Sequence, residues 1–149
     1  MKLDSKKGGL AMKVSTNNPI PGEVNKRRGD SKMLAPKWAQ DLTLNALLYW
    51  ESQGNKVPNI SLEWRHRSGK QSTGTAYGQS NRIRIRQGTD RVDAKLVLLH
   101  EIAHQIAKID NPYEYHTQRF WDIVWQLYRQ AKLPIRYCLW REGKQKNMA

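Results

Sequence analysis

A single cysteine, Cys138, stands in this chain of 149 residues. It cannot close an internal disulfide, and it cannot build a thiolate-rich metal ribbon. No stretch approaches the ~18 consecutive apolar residues of a membrane-spanning helix. The opening MKLDSKKGGLAMKVSTNNPIPGEVNKRRGDSK is basic but has no apolar centre, so it does not read as a secretory signal. No internal repeat is visible. Apolar residues make up 38% of the chain, enough for one modest core at this length. The reading is a cytoplasmic protein with no membrane partner.

Acidic residues are also scarce. Thirteen Asp and Glu face twenty-six Lys and Arg, for a formal net charge of +13. Residues 1–35 hold +5 of this and the remainder +8, so the excess is spread along the chain. Such a surface attracts nucleic acid, an acidic protein partner or an anionic membrane surface, and its simplest alternative role is solubility alone.

Composition divides the chain at about residue 35. Residues 1–35 are rich in Lys, Gly, Asn, Ser and Pro, lack a sustained apolar period, and are expected to be a basic disordered segment. Residues 36–149 carry the folded domain. Trp38, Leu42, Ala46, Tyr49 and Trp50 share one helical face, with Pro36 in the first turn and Gly54 just past the end. Ile60, Leu62 and Trp64 then alternate with polar residues as in a half-buried strand. Gly69, Gly74 and Gly78 punctuate turns around a short second strand. In NRIRIRQG, Ile83 and Ile85 point inward, while Arg82, Arg84 and Arg86 point outward.

The period returns to helical after QGTDR. Asp90 suits the cap, and Val92, Leu96, Leu99, Ala103 and Ile106 form the apolar stripe of a helix over about 91–108. Pro112 breaks it. Another helix follows over about 117–131, and IRYCLW reads as a final strand before a fraying REGKQKNMA. The fold class is α+β: a helix, a three-stranded sheet and two helices.

The chemistry lies in LVLLHEIAHQIAKIDNPYEYH. His100 and His104 are one helical turn apart, so both imidazoles leave one face and suit adjacent corners of a zinc tetrahedron. Glu101 stands beside that corner, where a carboxylate can take a proton from water and return it to a leaving amine. His116, past the proline break, is the expected third ligand; Glu114 is the runner-up and Asp110 is less favoured. Tyr113 and Tyr115 lie close enough in sequence to donate to an oxyanion, though packing is the simpler role for both. A plain core helix would have to bury His100 and Glu101 unpaired within an apolar run, at several kcal/mol. A bound metal offsets that cost.

These residues resemble the SprT-like and YgjP-like zinc metallopeptidases, which include small phage and bacterial proteins. VLLHEIAHQI, the following HTQRFW and the preceding NRIRIRQG carry the resemblance, over roughly residues 60–131. It implies a zincin-like domain, His100, His104 and His116 as zinc ligands, and Glu101 as catalytic acid/base. It also implies hydrolysis of a peptide bond, with nucleic-acid-associated proteins among the candidate substrates. Thr117 stands where that family often has glycine, and the family's frequent cysteine ribbon is missing. By analogy with zincins, residues 82–86 are expected to form the sheet edge that pairs with an extended substrate. Arg82, Arg84 and Arg86 would then contact acidic substrate or nucleic acid. Two alternatives are a basic DNA-associated or phage structural protein with a purely structural zinc, and a regulatory protein that cleaves one specific repressor.

Overall fold

A computed structural model describes residues 14–16, 33–112 and 115–143. The described residues form an α+β unit of four strands and four helices. Strand β1 (Val14–Thr16) precedes helix α1 (Lys37–Ser52). The strands β2 (Ile60–His66), β3 (Thr73–Ala76) and β4 (Arg82–Gln87) follow, then α2 (Arg91–Asp110), α3 (Gln118–Gln130) and α4 (Ile135–Glu142). No helix among the described residues is long and apolar enough to cross a membrane.

The strand order is β1-β2-β4-β3, with β1, β2 and β4 parallel and β3 antiparallel to β4. Two expectations are corrected here. The sheet has four strands, because Val14–Thr16, inside the segment expected to be disordered, pairs with Ile60–Leu62. Residues 82–86 are also no edge, since β4 is flanked by β2 and β3. The hairpin from β3 folds β4 back between its predecessors, a crossing that the alternation of Ile83 and Ile85 cannot reveal. Among the described residues, the free edge beside α2 therefore belongs to β3.

The inner sheet face carries Ile60, Leu62, Trp64, Ile83 and Ile85, each at most 1% exposed. Helix α2 packs on this face and is buried nearly all round, because α1 and α3 close over it. Asp90 caps it as its position predicts, its carboxylate accepting from the N–H groups of Val92 and Asp93. At the other end it stops at Asp110, one residue before Asn111-Pro112. Gln105 and Lys108 on its last turns donate to carbonyls of the β3–β4 turn: Gln105 to Tyr77 and Arg82, Lys108 to Tyr77, Gly78 and Ser80. These bonds fasten β3 above the helix.

The expected final strand is instead helix α4. Six residues of mixed character do not declare their period, and tertiary partners decide. Tyr137 and Arg141, four apart, share one oxygen of Asp93 on α2 at 2.5 and 2.6 Å, a convergence that helical spacing permits and a strand's does not. Arg141 and Glu142, expected to fray, are the anchored end of this helix.

Candidate metal centre

His100 and His104 project from α2 as their spacing requires, and His116 returns from beyond the Asn111-Pro112 break to meet them. The Nε2 of His116 lies 3.2 Å from that of His100 and 3.1 Å from that of His104. Ligand nitrogens about 2.0–2.1 Å from a tetrahedral metal ion stand roughly 3.3 Å from one another. Two edges of one face of such a tetrahedron are thus matched, and these residues could hold a metal ion. Asp110 is not part of this group; it pairs with Arg119 at 2.7 Å. Glu114 and Tyr113 lie outside the described residues.

Aromatic rings set the imidazole planes. Phe120, the only phenylalanine of the chain, stacks on His104 at 4.2 Å between centroids and meets His100 and His116 edge-on. Trp121 stacks on His116. Both rings come from the first turn of α3, which Thr117 caps by accepting from the Phe120 N–H. On the solvent side Tyr115 stacks on His104 and is largely exposed.

Burial works against protonation of two of these histidines. Burial, with His100 and His116 beside it, pushes His104 down to about 3. Burial and His100 lower His116 as well. Neutral imidazoles are the form that binds metal.

Glu101 is 8% exposed and lines the cavity with the three histidines. Burial raises its carboxyl above the ordinary carboxylate range; His100 and a hydrogen bond from the Ala76 N–H oppose the rise. A raised carboxyl is a better proton acceptor from water. Its room depends on Gly74, because a Cβ there would stand 2.8 Å from the Glu101 Cγ and 2.9 Å from Val97. Gly74 is therefore a position of close strand–helix approach within β3, and not the turn its residue type implies.

Sequence reasoning missed Glu142. Its carboxylate accepts from His100 Nδ1 at 2.9 Å and from the Tyr128 hydroxyl. Burial works against its charge, but these bonds outweigh it and hold the carboxyl below its usual value. With Nδ1 protonated toward Glu142, the Nε2 lone pair of His100 is free to face the other two histidines. Reading 135–140 as a strand hid this partner; the four-residue spacing of Tyr137 and Arg141 was the available signal.

Arg82, Arg84 and Arg86 do not reach this centre. They stand on the opposite sheet face, where Arg82 and Arg84 lie 3.6 and 3.5 Å from the buried Glu63, with Arg65 at 3.8 Å. Arg82 also covers the Tyr77 ring at 4.0 Å. Two of the three arginines are thus already engaged within the domain, while Arg86 is exposed.

The cavity measures about 500 Å³ and is walled by β3 and the following turn, by α2, and by Pro112, Tyr115 and His116. The Tyr77 N–H donates to the Arg82 carbonyl, so alternation turns the backbone groups of Gly74 and Ala76 away from β4. They form the strand's open edge beside Glu101. Comparisons of the chain with family models, with curated proteins and with solved structures match none of them.

Proposed function

We propose that this chain is a zinc-dependent peptidase of zincin-like design, related to the SprT-like and YgjP-like enzymes that its motifs resemble. The observation that carries the reading is the convergence of three imidazoles in a cavity that a buried carboxylate also lines. An N₃ donor set of histidines suits zinc, which in that position would supply a Lewis acid and a water acidified to a pKa of about 7. Glu101 takes the proton of the attacking water and then delivers it to the departing amine. An extended substrate pairs with the open edge of β3 through the Gly74 backbone and the Ala76 carbonyl, which brings its carbonyl over Glu101. Glu142 and Tyr128 keep His100 in the required tautomer.

A purely structural zinc is the rival reading, in a basic DNA-associated or phage structural protein. It gives a buried carboxylate beside an accessible cavity no task. The net charge of +13 supports acidic or nucleic-acid-associated proteins as substrates.

The test pairs metal analysis with Glu101→Gln. Wild type should purify with one zinc per chain and lose it in His100→Ala, His104→Ala and His116→Ala. Glu101→Gln should keep zinc and fold while turnover on unfolded and DNA-bound proteins drops roughly 10²–10⁴-fold. Equal cleavage by both proteins would remove Glu101 as the base. Zinc binding with no cleavage of any substrate would favour the structural reading.

A further inference from the structure

A second cavity, of about 260 Å³, adjoins the first along β3 and shares Gly74, His100 and Glu101 with it. The larger cavity follows the chain from Gly74 towards Gly78. The smaller runs back from Gly74 to Ser72 and is bounded by Arg141 and Glu142 of α4. They lie end to end, with Glu101 at the join. A peptide paired with β3 therefore places residues from one side of its reacting bond in each.

The polar side chains around the smaller cavity differ in what they have left to offer. Glu142 is engaged by His100 and Tyr128, and the Ser72 hydroxyl accepts from the Gly88 N–H. Arg141 donates through Nε to Asp93 at 2.6 Å and through Nη2 to the Ser72 carbonyl at 3.0 Å. A guanidinium carries five N–H donors, and among the described residues the other three have no partner. The side chain is 25% exposed while its counter-ion Asp93 is fully buried. Two bonds thus fix the guanidinium plane in advance, so little side-chain freedom is lost when a ligand arrives.

We propose that Arg141 recognises a carboxylate of the substrate, within about two residues of the bond presented to Glu101. The proposal rests on the peptidase reading and names the substrate class: peptides with an acidic side chain, or a chain end, on the side that enters the smaller cavity. The free N–H groups form a planar fork that matches a carboxylate, in charge-assisted hydrogen bonds. The overall positive charge draws such substrates in.

The test uses the full-length, zinc-loaded protein and quenched fluorescent peptides of one parent sequence. A single Glu is moved through the two positions on either side of the cleaved bond, each peptide with its Gln counterpart. A shorter pair ends just past the bond as free acid or amide. At one position on one side, kcat/KM should be roughly ten- to a hundredfold higher for Glu than for Gln. A matching ratio between acid and amide would instead identify the chain terminus as the source. Arg141→Gln should bring either ratio to one. Because that change leaves Asp93 buried without its cation, the double variant Asp93→Asn/Arg141→Gln removes both charges, with zinc content and circular dichroism reporting the fold. Equal rates for Glu and Gln at every position, and for acid and amide, would overturn this proposal alone. A preference that survives in the folded double variant would do the same. No cleavage of any peptide by zinc-loaded wild type would overturn the peptidase reading, and this proposal with it.

Discussion

Glu142 shows how much of a candidate metal centre can rest on a residue outside its three histidines. It is nearly buried, accepts a hydrogen bond from His100 Nδ1, and is itself held by Tyr128, whose hydroxyl burial keeps protonated far above its ordinary value. Such outer partners typically set metal affinity by 10–100-fold. Glu142→Ala should weaken zinc binding by about that factor, read by competition with a chromophoric chelator. Glu142→Gln, which keeps a carbonyl acceptor, should lose less. Unchanged affinity in both would reduce the contact to packing. At this scale the sequence was legible for His100, Glu101 and His104, because one helical turn settles which side chains meet. His116 could be ranked but not settled, since a loop intervenes. Gly74 and Glu142 were hidden because their roles depend on contacts 27 and 42 residues away in the chain.

Among the elements, α4 is the one that ties the centre together. Tyr137 and Arg141 bind Asp93 near the start of α2, while Glu142 reaches His100 two turns further on. Burial opposes ionisation of Asp93, but the bonds from Arg141, the Ser72 N–H and Tyr137 prevail and lower its pKa below the ordinary 3.8. The folded chain therefore holds this charge to lower pH than the unfolded chain does. Its contribution is complete above about pH 4 and is lost as pH falls through the lower native value. Wild type should lose stability steeply below pH 4. Asp93→Asn should start on the order of 1–3 kcal/mol less stable at neutral pH and lose less in that window. Urea unfolding from pH 7 to pH 3 measures both, and parallel curves would refute the assignment. Running the series on metal-free protein keeps metal release out of the comparison. Helices α1, α2 and α3 were legible because each repeats its apolar stripe over three or more turns. The eight residues of α4 do not. The place of β4 was equally hidden, because alternation tells which face a residue occupies and not which strands lie beside it.

For the molecule as a whole, the centre joins α2 to the segment that leads into α3, so metal is expected to stabilise the fold. An ion at a hundred times its dissociation constant adds about 2.7 kcal/mol by mass action. For a chain of this size that corresponds to a fall of roughly 5–10 °C in Tm on chelation, recovered when zinc is returned. Thermal scans with verified zinc content decide this, and an unmoved transition would count against the site. The open edge of β3 has a further consequence, for self-association. Unpaired strand edges invite edges of other sheets, and short length is one of the ways natural proteins blunt them. Here the edge is four residues long, and across the cavity it faces Pro112, Tyr115 and His116. A strand that brings its own neighbour would meet that wall. The edge is therefore expected to resist pairing with folded sheets, including copies of this one.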